Sequence, residues 1–192
     1  MKVKHLVGAF LCVLGCYACS SPKTEVQSPD GHIKMTLTVD ENGKPFYNVS
    51  VDDSLLIENS AMGFTAANGI ILGEGFQVKN TTFSSEDETW TQPWGENKKN
   101  RNHYNEMAVN LTNEDHVQLT LRFRVFDDGI GFRYEYTVPT VDSLLITDEL
   151  TTFRFHRDGT SWSIPASAET YELLYQQQPI SEVETANTPF TF

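Results

Sequence analysis

Three kinds of residue in this chain have the chemistry to hold or act on a ligand: paired carboxylates, histidines, and aromatic rings set among amides. Glu169 and Glu172 stand three apart, near Trp162, Tyr171 and Tyr175. On a helical turn the two carboxylates would share one face and suit a hard cation. Calcium takes six to eight oxygens, so this pair does not complete a site. Asp127 and Asp128 precede Gly129, which is turn chemistry. Glu86, Asp87 and Glu88 read as a solvated acidic run. His5, His32, His103, His116 and His156 are scattered, with no i,i+4 pair and no HExxH, so zinc hydrolysis is unsupported. There is no GxSxG elbow, and neither GIILGEG nor DDGIGF joins a strand to a helix as a phosphate loop does. From spacing alone the chain shows no catalytic set.

One stretch is denser. ETWTQPWGENKKNRNHYNEMAV, residues 88–109, places Trp90 and Trp94 on either side of Pro93, with Gly95 permitting a sharp bend. Rings with amides and an arginine are what a sugar needs, an apolar face to stack on and donors for hydroxyls. The competing reading is that the tryptophans plug the end of a sandwich. The strand that follows would point Tyr104, Met107, Val109 and Leu111 inward.

The elements that must position these residues are strands. IKMTLTV alternates through Ile33, Met35, Leu37 and Val39. DENGKPF supplies a turn, and YNVSV alternates again, so a hairpin is expected. VQLTLRFRVF sets Val117, Leu119, Leu121, Phe123 and Val125 on one side; after DDG, IGFRYEYTV continues with Ile130, Phe132, Tyr134, Tyr136 and Val138. A one-residue slip would put five large side chains in water, which fixes the register. Residues 143–147, 151–155 and 160–165 are shorter candidate strands. Only 167–178 hints at a helical turn. The expected fold is all-β, an antiparallel β-sandwich.

The N-terminus, MKVKHLVGAFLCVLGCYACSS, has a basic start and an apolar run too short to span a bilayer as a helix. It resembles a lipoprotein signal covering residues 1–19, with Cys19, or else Cys16, as the lipidated residue and residues 20–28 as a tether. The three cysteines all lie here. The remainder therefore has no disulfide framework and no thiol nucleophile. Export to the periplasm or outer membrane, with the membrane reached through a lipid anchor, is expected. A net charge of −12 argues against nucleic acid as a partner.

SPDG, KMTLTVDENGKPFYNVSV, ETWTQPWGENKKNRNHYNEMAV, LRFRVFDDGIGFRYEY and WSIPASAETYE, in that order, resemble the N-terminal domain of glycoside hydrolase family 97. That family includes the α-glucosidase of starch-utilisation systems. The resemblance implies a β-super-sandwich of the galactose-mutarotase-like type over residues 29–192, serving a catalytic (β/α)8 barrel that acts on α-linked oligosaccharides. Family members are α-glucosidases or α-galactosidases whose catalytic carboxylates sit on the barrel and whose active site binds calcium. The N-terminal domain donates one glutamate to that calcium. Counted from Trp162 and Pro165, the matching residue is Glu172, with Glu169 as fallback. The segment holding Thr185 and Asn187 is similar to a family loop near substrate. The barrel is expected to be absent and the sandwich incomplete at its C-terminus, so that the chain alone is inactive; a non-catalytic carbohydrate-binding surface lipoprotein is the alternative.

Overall fold

The computed structural model describes residues 23–192. Cys16 and Cys19, and the signal segment as a whole, lie outside the described residues. Thirteen strands follow in order: β1 (Glu25–Gln27), β2 (Ile33–Val39), β3 (Pro45–Val51), β4 (Ser54–Ala61), β5 (Phe64–Ala66), β6 (Gln77–Thr91), β7 (Lys99–Thr112), β8 (Gln118–Phe126), β9 (Gly129–Thr137), β10 (Ile146–Glu149), β11 (Thr160–Ile164), β12 (Gln176–Pro179) and β13 (Asn187–Thr191). Two short 3-10 turns, Ala67–Gly69 and Ile180–Glu182, interrupt them.

Two antiparallel four-stranded sheets, β1-β2-β3-β4 and β6-β7-β8-β9, face each other as a sandwich. The alternation read in the sequence builds both inner faces. Met35, Leu37, Tyr47 and Val49 come from the first sheet, and Met107, Val109, Leu119, Leu121, Phe123 and Val125 from the second; all are buried. Phe132, Tyr134 and Tyr136 of β9 pack at the margin of this core. A two-stranded sheet, β10-β5, and a three-stranded one, β12-β11-β13, complete the described fold.

The β2–β3 turn is organised by Asp40, whose Oδ1 accepts the N–H groups of Asn42 and Lys44. Gly43 there has φ +73°, and a Cβ on it would lie 2.3 Å from the Phe76 nitrogen. The β3–β4 turn uses Asp52 and Asp53 at positive φ, the conformation a tight two-residue hairpin demands.

The structure corrects four expectations. Residues 25–27, within the expected tether 20–28, are β1, and Val26 is buried. Residues 167–175 form no helix; the chain is irregular until β12. Residues 151–155 are not a strand of their own. They run beside β4, but Asn59 adopts φ +43° and side chains replace part of the ladder: Thr152 Oγ1 accepts the Ala61 N–H, and Ser60 Oγ accepts the Arg154 N–H. Tyr104 does not share a face with Met107, Val109 and Leu111. Strand alternation sends it with Glu106 to the outer face, where Phe126 lies 5.3 Å away.

Candidate functional site

Glu172 lies in the irregular segment between β11 and β12 and is exposed. Its backbone N–H donates to Thr170 Oγ1; its carboxylate has no hydrogen-bond or ion-pair partner among the described residues. The side chains around it are apolar and uncovered: Leu174 is 89% exposed, Tyr171 76% and Tyr175 61%. The segment leaves the sheet where Ile164 of β11 faces Asn187 of β13. That pairing brings Asn187 to a shallow depression of about 400 Å³, lined also by Ser167, Glu169, Thr170 and Tyr171. Ser167 Oγ accepts the N–H groups of Glu169 and Thr170, which holds the turn. Thus Asn187 and Glu169 share one hollow. Thr185 is exposed, and neither it nor Glu172 lines that hollow.

Among the described residues no group of three His, Cys, Asp or Glu side chains is placed to hold a metal. Calcium's six to eight oxygens are therefore not assembled by these residues. What the segment offers is two carboxylates, Glu169 and Glu172, neither with a hydrogen-bond or ion-pair partner among the described residues.

Residues 88–109 form the outer part of a long hairpin. β6 and β7 pair from Gln77↔Thr112 to Thr91↔Lys99, while β8 joins β7 only from Tyr104 inward. Beyond Tyr104 the hairpin is a two-stranded arm. Arg101 clasps Asp87 with bonds of 2.7 and 2.8 Å, and this bonding holds the Asp87 carboxyl below its usual range. Asn102 donates to Glu88. At the arm's base His103 Nδ1 is buried without a hydrogen bond, 3.6 Å from Asp127 Oδ2. Asp127 Oδ1 accepts the Asp30 N–H, tying the β8–β9 turn to the β1–β2 turn. Trp94 is 85% exposed and Trp90 49%, so these tryptophans do not plug the sandwich. Rings raised on a solvated arm give no sign in strand periodicity; only the Trp-x-x-Pro-Trp-Gly composition marked them.

A second polar assembly escaped the sequence reading. On the outer face of the second sheet, Arg122 binds Glu106 at 2.5 Å and Glu135 at 2.9 and 3.2 Å. Arg124 binds Glu106 at 2.7 Å, and Arg133 binds Glu135 at 2.7 Å. Burial pushes the Glu106 carboxyl upward, but the bonds from Arg124 and Arg122 outweigh it and hold it below its usual value. Alternating Arg122 and Arg124 in β8 was the available signal.

The family model described as "Glycosyl-hydrolase 97 N-terminal" matches residues 26–192. A retaining alpha-galactosidase of Bacteroides thetaiotaomicron is 29% identical over 133 residues, covering 69% of this chain and 19% of that protein. A Glycoside Hydrolase Family 97 enzyme of Pseudoalteromonas sp. strain K8, solved with panose and with acarbose, is 34% identical with a TM-score of 0.79, covering 86% of this chain and 26% of that one. A beta-arabinopyranosidase structure is 25% identical with a TM-score of 0.69, over 79% of this chain and 26% of that one. The chain spans about a fifth of the curated relative's length and about a quarter of the solved neighbours'.

Proposed function

Because the chain belongs to glycoside hydrolase family 97, through that family's N-terminal domain, we propose that it serves an exported, lipid-anchored α-glycosidase. Its role is to shape the active-site rim and to bring Glu172 to a calcium ion whose other ligands come from a catalytic (β/α)8 barrel. The observation that carries this reading is the free Glu172 carboxylate among the exposed Tyr171, Leu174 and Tyr175. Apolar surface of that kind marks an interaction site, and here it is the seat of the barrel. When bound, calcium supplies positive charge beside the reacting sugar and a template that orients it. Thr185 and Asn187 contact the α-linked oligosaccharide at the rim. Cys19, or Cys16, carries the lipid, which places the protein at the periplasmic face of a membrane without a spanning helix.

The test uses the intact gene product on aryl α-glucosides and α-galactosides, with calcium and with a chelator. Glu172→Gln is expected to raise the calcium needed for half-activity by about tenfold, the equivalent of one lost ligand contact near 1.4 kcal/mol. The same shift in Glu169→Gln, with Glu172→Gln unaffected, would refute the Glu172 assignment. Turnover by the 192-residue chain alone would overturn the division of labour.

A non-catalytic carbohydrate-binding surface lipoprotein is the second reading, favoured by the exposed Trp94 and Trp90. Maltooligosaccharide binding that weakens in Trp94→Ala would support it; no binding at millimolar ligand would count against it.

A further inference from the structure

β6 is a long edge of the second sheet. Its fifteen residues pair with β7 alone, so among the described residues the backbone along its other side meets no ladder. An edge of that length is a template for another strand. The sandwich is also open on this flank. β1, across from it, has only three residues, and a hollow of about 490 Å³ lies between Val26 and Gln27 of β1 and Phe83, Ser84 and Ser85 of β6. Phe83 is paired with the buried Met107 and shares its face, yet it is 51% exposed.

The two ends of the β6–β7 hairpin differ in charge. At the arm's tip the exposed Trp94 stands with Lys98 and Lys99 against one carboxylate, Glu96. At the other end a hollow of about 510 Å³ is lined by Asp40, Glu41, Glu74, Glu114 and Asp115, with the exposed Ile71 among them. None of these five carboxylates, and neither lysine, has an ion-pair partner among the described residues. Lys44, close to them in sequence, lies instead over the Phe46 ring. A basic tip and an acidic hollow at opposite ends of one hairpin match a second copy laid alongside in the reverse direction.

We propose that the chain forms a two-fold dimer by antiparallel pairing of its β6 edges, with each arm tip seated over the acidic hollow of the other copy. Strand addition of this kind takes its affinity from main-chain hydrogen bonds, and a two-fold axis makes the contact self-complementary. The axis passes through Ser84, the middle residue of β6, and sets Gln77 opposite Thr91. Phe83 then falls opposite Ser85 and diagonal to Phe83 of the other copy, within reach of an aromatic pair, so the two rings fill the open flanks. Three residues past Thr91, Trp94 reaches the level of Glu74 on the wall of the hollow.

The edge itself carries Glu86, Asp87 and Glu88 against Lys79, and Arg101 already holds Asp87. Reverse pairing keeps the remaining carboxylates apart. Glu86 falls opposite Thr82 and Glu88 opposite Asn80. Glu86 and its twin are then four residues apart along the strand, roughly 13 Å, beyond the ~8 Å screening length of physiological salt. Parallel pairing in register would set each carboxylate against its twin, so the charges select the antiparallel dimer. These residues are separate from Glu172, and the dimer stands or falls apart from the calcium reading.

The test is sedimentation equilibrium on the full chain carrying Cys12→Ser, Cys16→Ser and Cys19→Ser, which leaves no native thiol. A monomer–dimer equilibrium is expected, with the dimer dominant at about 100 µM. Phe83→Lys should weaken it about tenfold and Lys98→Glu about threefold. Iodide quenching of Trp94 should fall as the dimer fills. Single cysteines read the register under a mild oxidant. Ser84→Cys meets its own copy at the axis and should give a disulfide-linked dimer about tenfold faster than Thr82→Cys or Glu86→Cys, whose twins lie beyond the ~7 Å that a disulfide spans between Cα atoms. A monomer at about 100 µM, an open ladder of higher species, a dimer unmoved by Phe83→Lys, or equal crosslinking at the three positions would overturn the proposal.

Discussion

Tyr47 donates its phenolic hydrogen bond to the Thr152 carbonyl, 2.9 Å away and 105 residues along the chain. Tyr47 is fully buried on the inner face of β3, and Thr152 belongs to the segment that runs beside β4. The bond therefore fastens the chain's return to the first sheet from inside the core. Tyr47→Phe keeps the ring and orphans a carbonyl. It should lower unfolding free energy by about 1–2 kcal/mol in urea melts. Burial pushes the phenol up to about 12. A raised value means that the stabilisation is complete below the ordinary tyrosine range and is lost as pH climbs through 12, so the Tyr47→Phe deficit should shrink at high pH.

Gly43 should not tolerate a side chain. Its φ of +73° disfavours other residues, and an added Cβ would press on the Phe76 backbone. Gly43→Ala is expected to cost about 1–3 kcal/mol, with Gly131→Ala near neutral as the paired control in thermal melts.

His32 hydrogen-bonds Asp52, and that bond, aided by the charges of Asp52 and Asp30, raises the His32 pKa. The pair's contribution is thus fully present below the ordinary histidine value and is lost as pH rises through the raised one. An NMR titration should place the His32 midpoint above the ordinary histidine value, and Asp52→Asn should bring it down. A His32 midpoint unmoved by Asp52→Asn would show that the bond is not formed in solution.

Glu106 balances two arginines from a nearly buried position. Glu106→Gln should cost about 1–3 kcal/mol, and less in Glu106→Gln/Arg124→Met, where one uncompensated charge is removed as well. A double-mutant cycle by chemical denaturation measures the coupling.

Trp90, Trp94 and Trp162 are each at least 42% exposed. Iodide should quench most of the intrinsic fluorescence of the isolated chain. Trp94→Phe should remove the most readily quenched fraction.

Strand periodicity carried the sandwich into view because a half-buried strand must alternate. β2, β3, β8 and β9 were legible down to their inward residues for that reason. Residues 151–155 were not, because Ser60 and Thr152 hydroxyls stand in for backbone pairing and leave no period. Residues 167–175 form no helix because Tyr171, Leu174 and Tyr175 have no apolar face among the described residues to pack on. Tyr104 faces outward because it has the opposite parity to Met107, Val109 and Leu111 on β7. Of the candidate site, Glu172 came through a family resemblance, while the Glu106–Arg122–Arg124–Glu135–Arg133 network depends on cross-strand register that no single strand encodes.

The hydrophobic cluster contains no residue beyond Phe155. The β12-β11-β13 sheet instead buries Ser161 and Ser163 and leaves its loop in solvent. Its amides should exchange through local opening, well before those of β2, β3, β7 and β8. Under the proposed reading, ordering that sheet and docking the neighbour that covers Tyr171 and Leu174 would be a single cooperative event that also fixes the place of the Glu172 carboxylate.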